Sequence, residues 1–220
     1  MVLHGFIRGQ AYQNLFIKRE NGKLIVAQVY VDDIIFESTK DELAHDFSKL
    51  MQVEFEMSMI GELNYFLGLL IRQQESGIFI SQSKYAKNLV RKFGLDSVSP
   101  VKTPMSPNVK LTVDLLGKSV DSSLYRSMIG SFLYLIASRP NLSYNVGVCA
   151  RYQTNPKESH MIALKRIIKY VKATANFGVW YSKDTNDVLV GYSDVDWAGN
   201  ADDRKSSSRG CFYVGNNLVS

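Results

Sequence analysis

Residues 24–30 read Leu-Ile-Val-Ala-Gln-Val-Tyr, a run rich in β-branched side chains behind the turn pair Asn21-Gly22. Such a run predicts a strand. Ile34-Ile35-Phe36 predicts a second, short strand, and only Val31, Asp32 and Asp33 separate the two. The pair is expected as a hairpin with two carboxylates at or next to its tip. Thr39, with Glu42 three residues on, has the form of a capping box that opens a helix, and Leu43, Phe47, Leu50 and Met51 then fall on one helical face. Residues 65–71, Tyr-Phe-Leu-Gly-Leu-Leu-Ile, predict another strand. Gly77 marks a turn into Ile78-Phe79-Ile80, so a second hairpin is expected.

The period then changes to that of helices. Residues 83–93 place Ala86, Leu89, Val90 and Phe93 on one face, with Gly94 as the stop signal. Residues 95–120 hold Pro100, Pro104 and Pro107 with little periodicity and read as a linker. Residues 121–138 predict a mostly buried helix that ends before Pro140, and a further helical stretch covers about 141–152. Asn155-Pro156-Lys157-Glu158 is a helix start, with Asn155 at the N-cap and Pro156 in the first turn. Leu164, Ile167, Ile168 and Val171 form the apolar stripe of that helix. Residues 188–192 and 210–214 predict two strands of a new unit, whose hydrophobic side includes Val190, Tyr192, Phe212 and Val214. No internal repeat is visible. Strands gathered apart from helices predict an α+β chain.

Composition excludes several classes. The 220 residues are 45% hydrophobic and 21% charged, as in ordinary globular proteins and unlike disordered, collagenous or coiled-coil chains. The longest nearly apolar stretch, residues 128–137, is shorter than the about 20 residues a membrane helix needs. The first six residues lack the charged and then apolar regions of a secretory signal. Cys149 and Cys211 make neither a disulfide framework nor, with His4, His45 and His160, a zinc spacing. The expectation is an intracellular chain, cytoplasmic or nuclear, not secreted and without a membrane partner.

The net charge of +5 is unevenly spread. Residues 32–75 carry ten acidic side chains against Lys40, Lys49 and Arg72. Residues 84–110 carry six basic side chains against Asp96, and residues 151–172 carry six against Glu158. Lys84, Lys87, Arg91 and Lys92 share one helix with an apolar stripe. Lys165, Arg166, Lys169 and Lys172 share another. Basic helix faces of this kind suit the phosphates of a nucleic acid. Taken singly, each block fits a solvated helix face equally well.

The carboxylate pair is the sharpest chemical signal. Adjacent Asp32 and Asp33 repel one another unless a cation lies between them, and magnesium takes oxygen ligands and keeps phosphates as partners. A solvated turn is the plain alternative, because Asp favours turns for local reasons.

Tyr30-Val31-Asp32-Asp33 in an apolar hairpin resembles the active-site hairpin of reverse transcriptases. Residues 57–68, Met-Ser-Met-Ile-Gly-Glu-Leu-Asn-Tyr-Phe-Leu-Gly, resemble the primer-contacting strands of copia-type LTR retrotransposon Pol polyproteins. Further similar motifs follow in the family order. They are Lys102-Thr103-Pro104-Met105, Tyr125-Arg126-Ser127-Met128-Ile129-Gly130-Ser131, Ala137-Ser138-Arg139-Pro140 and Tyr192-Ser193-Asp194-Val195-Asp196-Trp197-Ala198-Gly199, the last extended by residues 203–208.

The resemblance implies an RNA-directed DNA polymerase. It implies the end of a palm and the start of a thumb over residues 1–94, a linker over 95–120, a helical thumb or connection over 121–185, and the first strands of a ribonuclease H-like fold over 186–220. Asp32 and Asp33 match the metal-binding catalytic pair, and Tyr30 the residue near the incoming nucleotide. Phe66, Leu67 and Gly68 match the strand that holds the primer end. Asp194 matches the first catalytic, metal-binding carboxylate of ribonuclease H, with Asp196 a weaker match. Magnesium or manganese would be the cofactor. The partners would be template-primer or RNA–DNA hybrid, and deoxynucleotides.

The departures bear on activity. Glu20 is the only acid in residues 1–31, and no acid follows Asp203. A palm needs another carboxylate upstream of the hairpin, and ribonuclease H needs further ones downstream. The chain reads as a window from the middle of a polyprotein, inactive alone. A non-catalytic nucleic-acid-binding remnant and a decayed product that does not fold stably stand as the other readings.

Overall fold

The β-branched run of residues 24–30 lies inside an antiparallel sheet. The computed structural model describes residues 1–106, 110–195 and 197–219. Strands β1 (Ile7–Arg8), β2 (Leu15–Glu20), β3 (Lys23–Tyr30) and β4 (Asp33–Ser38) pair in that order. The register sets Ala27 opposite both Phe16 and Phe36. One face of β3 therefore carries the buried Ile25 and Ala27, as the two-residue period of a strand requires. Helix α1 (Asp41–Glu54) covers this face with Phe47 and Met51. The Phe47 ring meets Phe36 edge-on at 4.8 Å and Phe6 at 5.5 Å.

The expected capping box at Thr39 does not form. The N-cap is Lys40 and makes no side-chain cap bond. Thr39 Oγ1 instead accepts from the Leu24 N–H at 3.0 Å, and Ser38 Oγ donates to the Leu24 carbonyl at 3.1 Å. Thr39 Oγ1 thus serves β3, while Ser38 Oγ also accepts from the Lys40 N–H at the start of α1, because strand and helix ends compete for the same short-range polar side chains.

The chain divides into two units, Met1–Leu63 and Asn64–Ser220. In the second, the expected single strand over 65–71 is two strands, β5 (Tyr65–Phe66) and β6 (Leu69–Gln74). Leu67 and Gly68 form the turn between them, with φ of 47° and 81°. Positive φ at both central residues is the tight hairpin geometry whose twist matches its strands. The second hairpin forms as expected, from β6 to β7 (Gly77–Ser81). β7 then pairs with β8 (Gly178–Ser182), a strand that the sequence pattern did not reveal.

Four helices form the larger core: α2 (Ser83–Lys92), α3 (Ser122–Leu135), α4 (Ser143–Ala150) and α5 (Glu158–Ala173). Leu89, Phe132, Leu135, Leu164, Ile167 and Ile168 are all buried there. Each contributes about 1.5–3 kcal/mol over an exposed position. α2 ends as its glycine predicts: Gly94, at φ 65°, donates to the Arg91 carbonyl, and Leu95 donates to the Val90 carbonyl. Asp121 caps α3 by accepting from the Ser123 and Leu124 N–H groups at 2.8 and 3.3 Å.

The start of α5 differs from the expectation. Lys157, not Asn155, is its N-cap. The Lys157 N–H donates to His160 Nδ1 at 2.9 Å, and His160 Nε2 lies 2.7 Å from the Thr112 carbonyl. The cap is thus a buried imidazole supplied by the helix itself. Described residues of the 95–120 segment lie along the helices, where Val98, Met105, Leu111 and Val120 pack on the core.

Strands β9 (Leu189–Val195), β10 (Ser208–Val214) and β11 (Asn217–Leu218) form a third sheet. The Asn217 side chain accepts from the Ser182 N–H at 2.7 Å and donates to the Ser182 carbonyl at 3.0 Å. The expected common hydrophobic side is split. Cys211 faces Tyr192 and Phe212 faces Gly191 in the register, so Val190 and Tyr192 lie on one face and Phe212 and Val214 on the other. Helices and antiparallel sheets together make the α+β architecture read from the sequence. Among the described residues no helix is long and apolar enough to cross a membrane.

Candidate carboxylate sites and nucleic-acid interface

Tyr30 pairs with Asp33 across the end of the β3–β4 hairpin, which leaves Val31 and Asp32 as a two-residue turn. Both carboxylates are exposed there. Val31 has φ 51° and is 82% exposed. A positive φ is a true outlier for a β-branched residue, and such strain gathers at functional sites. Carboxylate oxygens are the hard donors that magnesium and manganese take, so the chemistry of Asp32 and Asp33 fits such an ion. Their number does not complete its shell. Among the described residues, no three or more His, Cys, Asp or Glu side chains come together as a metal site.

Phe66 and Leu69 pair at the mouth of the Leu67-Gly68 turn. The Tyr134 hydroxyl of α3 donates to the Leu67 carbonyl, which fixes this tip to the helices. Tyr134 in turn meets Tyr85 edge-on at 4.7 Å, and burial pushes the Tyr85 phenol above its usual range.

The two basic faces differ. On α2, Lys84, Lys87, Arg91 and Lys92 are exposed, and among the described residues only Lys92 has a side-chain hydrogen bond, with the Ser131 hydroxyl at 3.3 Å. On α5, Lys165 is exposed, but part of the face is spent on the neighbouring segment. Arg166 donates to Thr103 Oγ1 at 2.9 Å, and its Nε is buried. Lys172 donates to the Asp96 and Val98 carbonyls. Lys169 is half-buried, and its carbonyl accepts from the Val101 N–H.

Asp194 lies on β9, exposed and paired in register with Arg209. Its carboxylate is 3.9 Å from the Arg209 guanidinium, which sits 3.5 Å from the centre of the Tyr144 ring. Asp196 lies outside the described residues. Nearby, Lys205 holds the Asp203 carboxyl below its usual range. Asp202 accepts from the Val113 N–H at 3.0 Å and from the Tyr152 hydroxyl at 3.3 Å. Burial and that carboxylate push the Tyr152 phenol up.

Arg139 has a role that sequence reasoning did not assign. It is 2% exposed. Its guanidinium donates to the Thr174 carbonyl and Oγ1, both at 2.8 Å, and to Asn141 Oδ1 at 3.3 Å. It also lies 5.7 Å from the Tyr170 ring centre and 5.5 Å from that of Phe177. Burial lowers its affinity for the proton, yet a guanidinium stays charged. An arginine just before a proline within an Ala-Ser-Arg-Pro motif is the signal that pointed here.

A family model described as reverse transcriptase (RNA-dependent DNA polymerase) matches residues 1–107. The chain is 33% identical over 216 residues to a retrovirus-related Pol polyprotein from transposon RE1 of Arabidopsis thaliana, covering 98% of this chain and 15% of that protein. It is 27% identical over 236 residues to the Pol polyprotein from transposon TNT 1-94 of Nicotiana tabacum, covering 100% of this chain and 18% of that one. An uncharacterized mitochondrial protein of Arabidopsis thaliana is 32% identical over 192 residues, covering 87% of this chain and 80% of the relative. The chain thus spans less than a fifth of the length of these two polyproteins, and no solved structure matches it. The carboxylate hairpin lies inside the region matched by the reverse transcriptase model, and the similarity to Pol polyproteins of copia-type retrotransposons runs on through the helices over almost the whole chain.

Proposed function

We propose that this chain is the part of an RNA-directed DNA polymerase that carries the catalytic carboxylate hairpin. The observation that carries the reading is the exposed Asp32–Asp33 pair at the end of a strained, two-residue turn. Residues 1–94 are read as the end of the palm and the start of the thumb, 95–120 as a connector, and 121–185 as the helical thumb or connection. Residues 186–220 are read as the opening strands of a ribonuclease H-like unit. Asp32 and Asp33 would hold magnesium or manganese. Bound there, the metal would offset charge on the transferred phosphate. Tyr30 would pack near the incoming deoxynucleotide, and residues 66–68 would bear on the primer end. Asp194 would serve the ribonuclease H unit, and its carboxylate lies 3.9 Å from the Arg209 guanidinium.

The 220 residues are expected not to polymerise alone, because no third acidic or imidazole ligand joins Asp32 and Asp33 among the described residues. Primer extension on a poly-rA template with magnesium or manganese tests this. Incorporation no greater than that of Asp32→Asn is expected, and incorporation well above it overturns the claim. A second reading, a nucleic-acid-binding remnant without catalysis, is favoured by the exposed cations on α2. Binding to template-primer that weakens steeply with salt, without any extension, would establish it.

A further inference from the structure

Where the C-terminal halves of α2 and α5 meet, the second unit has a cavity of about 390 Å³. That lies within the about 300–1,000 Å³ of small-ligand clefts. Lys87 and Arg91 stand on its rim, one helical turn apart on one face of α2. Both are exposed, and among the described residues neither joins an ion pair or a side-chain hydrogen bond. Lys172 adds a third cation, already fixed by the Asp96 and Val98 carbonyls. The Asp96 carboxylate is the one opposing charge on the lining, so the cavity carries an excess of positive charge.

An aromatic ring completes the cavity. Phe177 is 58% exposed. Its N–H donates to the Thr174 carbonyl at 2.9 Å. The buried Arg139 guanidinium lies against the ring at 5.5 Å and is itself locked on Thr174. An exposed aromatic face beside exposed cations is the pairing that takes an unpaired base and its phosphates. A base inside a duplex has both faces stacked already and cannot use it.

We propose that this cavity binds an unpaired nucleotide of single-stranded nucleic acid, the base on Phe177 and the flanking phosphates on Lys87 and Arg91. The proposal rests on the nucleic-acid reading above and specifies where a single strand is held.

Fluorescence anisotropy of the full chain with a labelled oligo-dT strand and with a labelled RNA–DNA duplex tests it. Phe177→Leu is expected to weaken single-strand binding by about tenfold or more, while duplex affinity and the salt slope stay unchanged. Phe177→Trp keeps a stacking face and should retain the affinity. The pair Lys87→Gln and Arg91→Gln should reduce the single-strand salt slope by about 1.4, or 0.7 for each lost contact. If Phe177→Leu leaves single-strand affinity intact while the wild type binds both probes, the site is wrong and the nucleic-acid reading stands. Equal loss on duplex, or equal competition by polyglutamate, also overturns the site. Binding of neither probe by the wild type removes both the site and the reading beneath it.

Discussion

The Tyr134 hydroxyl donates to the Leu67 carbonyl at 2.6 Å, across 67 residues of chain. This bond locks a turn in which Leu67 and Gly68 both have positive φ. Tyr134→Phe keeps the ring and removes the donor, at an expected cost of about 0.5–1.5 kcal/mol. Gly68→Ala should cost more, because φ 81° strains any side chain and the new Cβ meets the Tyr134 hydroxyl. Urea unfolding ranks the two, and hydrogen exchange over β6 should quicken in both. Unchanged exchange in Tyr134→Phe would show that the hairpin holds itself.

Val31 is the opposite case, a strained residue with nothing to gain from packing. It is 82% exposed at φ 51°. Asn visits that region far more readily than a β-branched residue. Val31→Asn should therefore stabilise the chain by about 1 kcal/mol, read as a higher urea midpoint. A lower midpoint would mean that the turn prefers Val for a reason outside local strain.

Arg139→Met removes the charged fork on Thr174 and leaves its carbonyl with the Phe177 N–H alone. A loss of about 1–3 kcal/mol is expected. Arg139→Lys keeps the charge but cannot present two parallel donors, so it should lose nearly as much. Thermal unfolding of both variants checks this, and a Lys variant as stable as wild type would remove the fork as the cause.

The core gives a pH dependence with a definite sign. Burial pushes the Cys149 thiol from its ordinary 9.0 up to about 12, and pushes the Tyr125 phenol up from 10.0. Both groups keep their protons longer folded than unfolded. Their contribution is complete below their ordinary values and falls as pH rises from about 9 toward 12. Stability at pH 10.5 should be lower than at pH 8, and Cys149→Ala should flatten part of the slope. A thiol reagent at pH 8 should label the half-buried Cys211 and leave the buried Cys149 unlabelled until denaturant is added. Labelling of both thiols in the native chain would contradict this.

Asn217 ties β11 to β8 through two bonds to Ser182. Asn217→Ala should speed hydrogen exchange over β9 and β10 while leaving α5 slow, because local opening reports local stability. Exchange over β9 as slow as over α5 in the wild type would mean that this sheet is as firmly anchored as the helical core.

Much of the element pattern was legible because helix and strand periods are local. The β3–β4 hairpin, the α2 stop at Gly94 and the α3 cap at Asp121 need only neighbours in sequence. The carboxylate tip was legible for the same reason, since Asp32 in the turn and Asp33 at the start of β4 follow from the short spacing between the two strands. The Leu67-Gly68 turn was hidden because its residues are apolar but for one glycine, and apolar runs read as continuous strand. β8 was hidden because five residues after a helix carry too short a pattern, and only pairing with β7 makes them a strand.

By itself, the sequence determined which side chains share a face: the apolar stripe of α5, the cations opposite it, and the alternation along β3. Only the tertiary structure decided what covers each face. Thr39 left its helix for Leu24, His160 replaced Asn155 as the determinant of the α5 start, and the 95–105 segment took up Arg166 and Lys172. The physical reason is that a period is set by backbone geometry within a few residues, whereas a polar side chain bonds whichever donor or acceptor the packing brings within about 3 Å. That partner comes from residues 15 to 76 positions away as readily as from the next turn.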